Sequence, residues 1–188
     1  MPTTPLLVII SGFPATGKTY LAQELSKKYK LPLFYKDAFK EMMYDNFGRL
    51  PEREESWFMG KCSNQTLEIV SKELLSKGIS HIIESNFSPE IMNPYLKELR
   101  KNLEFKCLQI HLTCDKDVLL DRFMKRSQSQ NIHPGHQGMR FIEEVKENMG
   151  KIQGVPFDID SERVVLDTTS LKDLKYDLVF DALKKYSL

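Results

Sequence analysis

The sequence predicts an α/β fold in which a parallel sheet is covered by helices on both faces, and two observations support it. Five short apolar runs alternate with helical patterns along the whole chain. The first run, Leu6–Ile10, is continuously apolar and ends in a glycine-containing turn, as strands buried on both faces do. Strands that alternate with helices are joined by crossovers, which build parallel sheets in three layers.

Each predicted strand is a short apolar run bounded by turn residues. The second strand is weakened by Pro32 near its start, and the third ends in the carboxylate Glu84. The five predicted strands are Leu6–Ile10, Leu31–Tyr35, Ile79–Glu84, Phe105–Leu112 and Val164–Leu166.

Helices are predicted between the strands where apolar residues recur at helical spacing. Ser88 and Pro89 mark the N-cap and first position of the fourth helix, and Gly78 ends the third. The predicted helices are Lys18–Tyr29, Ala38–Phe47, Glu54–Lys77, Pro89–Asn102, Asp115–Ser127, Met139–Gly150 and Leu171–Tyr186.

The buried face of the long third helix is expected to carry Phe58, Cys62, Ile69 and Leu74. A cluster of aromatic and methionine side chains surrounds the connection between the second and third strands. Its members suit core packing or an apolar acceptor pocket, and both interpretations stay open. They are Met42, Met43, Tyr44, Phe47, Trp57 and Phe58.

Length and composition fit a single domain spanning residues 1–188. The chain is 41% hydrophobic and 28% charged, which is typical of a soluble globular protein. Its 27 basic and 26 acidic residues leave a net charge of +1, which gives no long-range attraction to nucleic acid or to an anionic membrane. The sequence shows no membrane-length apolar run or signal-peptide core, and its three cysteines lack C-x-x-C spacing. A reducing, cytoplasmic setting is therefore expected.

A full G-x-x-x-x-G-K-[ST] motif lies between the first predicted strand and the first predicted helix. Glycines let the backbone wrap closely around phosphates, and the N–H groups at the start of the helix attract them. Lys18 would supply positive charge to the β and γ phosphates, and Thr19 a hydroxyl ligand for magnesium. The motif predicts binding of ATP with Mg²⁺ and consists of Gly12, Phe13, Pro14, Ala15, Thr16, Gly17, Lys18 and Thr19.

By this motif and the order of its elements, the chain resembles the P-loop kinases. This group includes nucleoside-monophosphate, shikimate and gluconate kinases, chloramphenicol phosphotransferase and the kinase domain of polynucleotide kinase. Within it, the chain looks most like uncharacterised bacterial P-loop ATPases or kinases. The resemblance implies a P-loop NTPase fold of strand order 2-3-1-4-5. It also implies an acceptor site between strands two and three, with a helical segment at about 38–78, and a lid at about 127–138.

The resemblance also implies roles for residues outside the motif. Asp37 follows the second strand, where these kinases often hold a carboxylate that orients or deprotonates the acceptor hydroxyl. Arg122 and Arg126, on the helix that enters the lid, stand where the family places arginines on transferring phosphates. Asp167 and Thr168 follow the fifth strand, where the adenine-contacting loop of the family lies.

Structural alternatives remain for several of these residues. Asp37 also suits the N-cap of a helix. Glu84 could hold a magnesium-bound water or pair with a nearby lysine, and it stands where the family has a plain aspartate. Arg122 and Arg126 are four residues apart and could form a solvated basic face.

His133 and His136 lie in the predicted lid. Two histidines without a third ligand at a familiar spacing make a poor metal site. Gly135 and Gly138 fit a lid that moves. A direct catalytic role for either histidine stays open.

The predicted function is ATP-dependent transfer of a phosphoryl group to a hydroxyl of a small molecule. The predicted lid favours a kinase, because water must be excluded for the acceptor to attack the γ phosphate. One alternative is a polynucleotide 5′-hydroxyl kinase, against which the near-neutral charge counts without excluding it. The other is a nucleotide-dependent ATPase or switch module.

Overall fold

A computed structural model of the chain describes residues 4–48, 53–129, 132–136, 142–148 and 155–186. Strands and helices alternate through them, as the sequence predicts. The strands are Leu6–Gly12 (β1), Leu33–Tyr35 (β2), His81–Ser85 (β3), Lys106–Thr113 (β4) and Glu162–Asp167 (β5). The helices are Lys18–Tyr29 (α1), Lys36–Phe47 (α2), Arg53–Ser76 (α3), Pro89–Asn102 (α4), Lys116–Ser127 (α5), Ile142–Asn148 (α6) and Tyr176–Lys184 (α7).

The five strands form one parallel sheet in the order β2-β3-β1-β4-β5. This confirms both the α/β class and the predicted 2-3-1-4-5 order. Ile10 of β1 pairs with Glu84 of β3 on one side and with Ile110 of β4 on the other. The carboxyl ends of these strands are therefore level, so the residues that follow them meet along one edge of the sheet.

The core lies on both faces of β1, because helices cover the sheet on each side. Leu6, Val8 and Ile10 belong to one apolar cluster, which includes side chains of α1 and α7. Leu7 and Ile9 belong to another, which includes side chains of α3 and α4. A continuous apolar run is needed for such a strand, since neither of its faces meets water.

The predicted buried face of α3 is wrong. Phe58 and Ile69 are 60% and 70% exposed. The apolar pattern misses the true face because two serines interrupt it. Ser63 Oγ donates a hydrogen bond to the Met59 carbonyl at 2.7 Å, and Ser71 Oγ bonds His81 Nε2 at 2.7 Å, so both hydroxyls are satisfied inside the protein. Asn64 is buried, and so are five positions that recur four residues apart, Met59, Ser63, Leu67, Ser71 and Leu75.

The aromatic cluster is more exposed than a core interpretation requires. Met42, Phe47, Trp57 and Phe58 are all exposed. α2 contacts α3 more extensively than it contacts the sheet, so the outer sides of both helices face solvent. Core packing is therefore wrong for these four residues.

Some predicted boundaries also differ. The segment 171–186 is not one helix, because a 3₁₀ turn at Leu171–Asp173 precedes α7. Residues 139–141 and 149–150 of the predicted sixth helix, and 130–131 and 137–138 of the predicted lid, lie outside the described residues. None of the helices within the described ranges is long and apolar enough to cross a bilayer.

Candidate active site

The loop between β1 and α1 has the backbone that its glycines predict. Gly12 has φ +151°, and a Cβ on it would lie 2.5 Å from the Leu112 carbonyl oxygen of β4. Gly17, at φ +91°, is the N-cap of α1 and offers no side-chain cap to the first N–H groups of the helix. Thr16 Oγ1 donates to the Phe13 carbonyl at 2.8 Å and fixes the curve of the loop. The result is a loop that leads directly into free helical N–H groups, an arrangement suited to phosphate.

Lys18, Thr19 and Glu84 come together beside this loop. Lys18 is buried, its Nζ donates to the Phe13 carbonyl at 3.1 Å, and the same Nζ lies 3.8 Å from Glu84 Oε1. Thr19 Oγ1 donates to Glu84 Oε2 at 2.9 Å. Burial lowers the pKa of Lys18, and the charges of Glu84 and Asp37 oppose that shift. Burial raises the pKa of Glu84, opposed by Lys18 and by the Thr19 hydrogen bond.

The Thr19 hydroxyl and the Glu84 carboxylate fit a magnesium ion. Both are oxygen donors, and Mg²⁺ is usually bound by one or two protein oxygens together with waters and substrate phosphates. Within the described parts of the chain, no group of three or more His, Cys, Asp or Glu side chains is arranged to hold a metal ion by itself.

Asp37 is brought to the same edge of the sheet. It is the second residue of α2, whose N-cap is Tyr35, so it does not occupy the capping position that the sequence leaves open. Its side chain is 46% exposed. Tyr35, two residues before Asp37, pairs with Glu84 in the sheet, and the negative charge of Asp37 acts to raise the pKa values of both Lys18 and Glu84.

The two arginines of α5 have different surroundings. Arg126 is exposed, and its charge lowers the pKa values of Lys18 and Glu84, so it lies near the P-loop. Arg122 instead donates to the Thr168 carbonyl at 2.8 Å and to the Thr169 carbonyl at 3.0 Å. The contact of Arg122 with a transferring phosphate stays a prediction. The guanidinium is engaged by main-chain oxygens, which sequence spacing does not reveal.

The loop after β5 is fixed by its own side chains. Thr168 is buried, and its Oγ1 donates to the Thr113 carbonyl at 2.9 Å. Asp167 Oδ1 accepts hydrogen bonds from the Thr169 hydroxyl at 2.6 Å and from the Thr169 N–H at 2.8 Å. These two bonds lower the pKa of Asp167. The Thr168 hydroxyl is therefore occupied, while the exposed Asp167 supports the turn.

Residues 132–136 lie against α2. His136 Nε2 is 2.6 Å from Glu41 Oε1, and His136 Nδ1 is 4.0 Å from Asp37 Oδ2. His133 Nε2 is 3.1 Å from Asp45 Oδ1. Sequence reasoning missed these contacts, although the carboxylates at 37, 41 and 45 share one face of a helix and so carried a signal.

Lys36 is a second residue that sequence reasoning missed. It begins α2, directly before Asp37, and is half-buried. Its Nζ donates to Asn86 Oδ1 at 3.0 Å, which links the end of β2 to the residue that follows β3. The sequence did carry a signal for Lys36, because a positively charged residue stands directly before Asp37, the candidate general base.

The comparisons with known proteins agree with this geometry. The family model of an AAA domain matches residues 8–144. The structure of a presumed kinase from Chloroflexus aurantiacus J-10-fl is 31% identical, with a TM-score of 0.87, covering 98% of this chain and 99% of that one. A shikimate kinase from Clostridium botulinum (strain Okra / Type B1) is 27% identical over 141 residues, which are 75% of this chain and 78% of that protein.

A gluconokinase structure from Sinorhizobium meliloti 1021 shares the fold at 13% identity and a TM-score of 0.54, covering 98% of this chain and 97% of that one. The matched AAA-domain model includes the loop, Asp37, Glu84 and α5. The chain therefore belongs to this AAA-domain family and to the P-loop kinase superfamily.

Proposed function

We propose that the protein transfers the γ-phosphoryl group of MgATP to a hydroxyl of a small molecule. One observation carries the proposal: Lys18 Nζ lies 3.8 Å from Glu84 Oε1, and Glu84 pairs with Tyr35 of β2, which brings Asp37, two residues further on, to the same edge of the sheet. A hydrolase or switch needs the loop and the metal ligands, but a carboxylate on the acceptor side is what a hydroxyl nucleophile requires.

The roles on the nucleotide side follow from the contacts. Residues 12–19 surround the phosphates, and Lys18 contacts the oxygens of the β and γ phosphates. Thr19 and Glu84 would hold Mg²⁺, directly or through water, and the ion would supply positive charge to the phosphates. Arg126 neutralises charge on the transferring group. The loop at 167–168 borders the base through its main chain, since the Thr168 hydroxyl is already bonded.

The acceptor side consists of α2, α3 and the end of β3. Asp37 orients the acceptor hydroxyl and takes its proton as the bond from the acceptor oxygen to the γ phosphorus forms. The bond between the γ phosphorus and the β,γ-bridging oxygen breaks in the same transfer, and ADP is the leaving group. Arg122 acts as a positioning residue, since it fixes the main chain of the loop after β5. We assign all of these parts to one domain, with the helical segment forming the acceptor wall and residues 127–138 forming a lid.

The experiment that tests the proposal is a screen of ATP consumption. The acceptors are sugars, hydroxy acids, nucleosides, aminoglycosides and 5′-hydroxyl oligonucleotides. Consumption that depends on one class of small acceptor, with a phosphorylated product found by mass spectrometry, is the expected result. ATP loss that is equal with and without acceptors would contradict the proposal in favour of an ATPase, and product from oligonucleotides alone would make the protein a polynucleotide kinase.

The lid makes a separate prediction, because residues 132–136 are bonded to α2. Glu41→Gln weakens the charge-assisted bond to His136, so amide hydrogen exchange at residues 132–136 should accelerate by about 5- to 10-fold, the effect of losing roughly 1 kcal/mol. A non-hydrolysable ATP analogue should slow exchange there in the parent protein. Glu73→Gln, an exposed carboxylate at the far end of α3, is the matched control. Equal exchange in Glu41→Gln and the parent would contradict a stabilising contact between residues 132–136 and α2.

A further inference from the structure

The ammonium group of Lys36 lies at a position that disfavours positive charge, and its hydrogen-bond partner is a neutral amide. Lys36 is the first residue of α2, where the helix dipole disfavours positive charge. Burial lowers its pKa, and the charges of Lys40 and Lys18 act in the same direction, against Asp37 and Glu84. Among the described residues, the amide oxygen of Asn86 is its hydrogen-bond acceptor, and no carboxylate lies within ion-pair distance. A half-buried ammonium with such surroundings favours an anion.

Asn86 is oriented so that it also presents donors. Its Oδ1 accepts from Lys36 Nζ at 3.0 Å and from Ser85 Oγ at 3.3 Å. With the oxygen turned toward these two groups, the Nδ2 amide group points the other way on an exposed side chain. Lys36 uses one of its three N–H groups in this bond. The pair therefore offers several N–H donors beside Asp37, a set that matches a carboxylate or a phosphate.

The neighbouring face of α3 contacts Lys36. A Cβ at Gly60 would lie 3.7 Å from Lys36 Cε and 3.8 Å from Lys36 Nζ, so the lysine side chain packs directly against this glycine. Asn64, one turn further along that face, is buried, and its Oδ1 has no hydrogen-bond partner in the described structure. Leu67, three residues on, already belongs to the core. Asn64 thus lies one turn from the glycine that Lys36 contacts, with an unused acceptor for a hydroxyl group.

We propose that Lys36 and Asn86 bind an anionic group of the acceptor, while Asp37 holds the hydroxyl that is phosphorylated and Asn64 accepts from a further hydroxyl. The acceptor class is then a hydroxylated anion, either a hydroxy acid or a phosphomonoester. This inference rests on the proposed kinase function. Lys36 follows β2, which is separated by β3 from the strand that carries the P-loop, so its anion is a group of the acceptor and not of the nucleotide.

The test is a calorimetric titration of the MgADP-loaded protein. The probes are glycerate and gluconate as hydroxy acids, glycerol 3-phosphate as a phosphomonoester, and glycerol and glucose as their neutral counterparts. We expect an anion to bind and its neutral counterpart to bind at least about 10-fold more weakly, as the loss of one charge-assisted contact implies. Preference for the acids or for the phosphomonoester identifies the source of the anionic group.

Two variants assign this binding to the site. Lys36→Met removes the charge, and Asn86→Asp gives Lys36 a carboxylate partner while repelling the ligand. Each should weaken anion binding by about 10- to 100-fold with MgADP affinity unchanged. Lys61→Met, an exposed lysine next to Gly60, should change nothing. If Lys36→Met does not fold, the Asn86→Asp variant provides the test alone. It keeps Lys36 and replaces Asn86 with a side chain of similar volume.

The outcomes separate this inference from the proposed function. Anion binding that is lost in Lys36→Met and Asn86→Asp supports the subsite even if no phosphoryl transfer is found, in which case the kinase proposal falls by itself. Phosphorylation of neutral acceptors at equal rates in the parent and in Lys36→Met would leave the kinase intact and overturn the subsite. Absence of binding for every anion, or equal anion binding in the parent and the Lys36→Met variant, would also overturn it.

Discussion

Replacement of Lys18 by methionine is expected to lower phosphoryl transfer by about 10²–10³-fold, the loss found when one charged or polar donor to a transition state is removed. The ammonium is buried beside the loop, 3.1 Å from the Phe13 carbonyl, so solvent does not screen it and no other described lysine takes its place in this contact. Triphosphate affinity should fall as well, because the same charge meets the β and γ oxygens in the ground state. Turnover and nucleotide binding are measured on the same sample.

A control is needed because Lys18 also neutralises Glu84. Removing the lysine leaves a buried carboxylate whose pKa is already raised, so the variant should be less stable and should take up a proton at Glu84. The double variant Lys18→Met/Glu84→Gln removes that unpaired charge and should recover stability without recovering transfer. Lys27→Met, on the exposed side of the same helix, is the matched control. Normal phosphoryl transfer in Lys18→Met would contradict the assignment of the loop as the phosphate site.

The variant Asp37→Asn should reduce transfer by about 10²–10⁴-fold with little change in ATP affinity. The amide cannot accept the hydroxyl proton, and it orients the hydroxyl less strongly than a carboxylate does. The N-cap of α2 is Tyr35, so the variant breaks no cap. Its cost to stability comes from the helix-dipole interaction of about 0.3–1 kcal/mol and from the neighbouring His136, whose Nδ1 lies 4.0 Å from Asp37 Oδ2. Nucleotide binding and transfer are again paired measurements, made with the acceptor found in the screen.

Asp117 provides the matched control for Asp37. It is the second residue of α5, as Asp37 is of α2, and it is exposed. Asp117→Asn should therefore reproduce the effect on the helix and leave transfer unchanged. Near-normal transfer in Asp37→Asn would remove its role as base. Loss of magnesium-dependent nucleotide binding would instead make Asp37 a metal-site residue, and Glu84 would become the stronger candidate for the base.

The sheet was predictable from the sequence because β1 and its loop carry local signals. The apolar run at 6–10, the glycines at 12 and 17 and the following helix are each determined by neighbouring residues. The buried face of α3 was not, since Ser63 and Ser71 bury their hydroxyls through bonds that an apolar pattern cannot show. Burial of a polar residue depends on its partner, which the pattern leaves out.

The candidate site likewise contains residues whose placement the sequence predicts and residues whose placement it does not. Lys18 and Thr19 follow β1, and Glu84 lies at the end of the neighbouring strand β3, so topology alone brings them together. Arg122 could not be predicted, because its partners are carbonyl oxygens 46 and 47 residues away. The bond between His136 and Glu41 spans 95 residues and depends on how residues 132–136 return to α2, which no local spacing determines.

The contacts of Arg122 also determine which part of the lid region can act as a hinge. Asp115 N donates to the Thr169 hydroxyl at 2.8 Å, and Arg122 bonds the Thr168 and Thr169 carbonyls, so α5 is tied to the β5 loop near its start and again two turns later. That stretch must move with the sheet as a rigid body. Any movement of residues 132–136 away from α2 should therefore pivot beyond Arg122. Arg126 lies one turn past the last of these contacts, so we expect its distance from Lys18 to change as the segment moves.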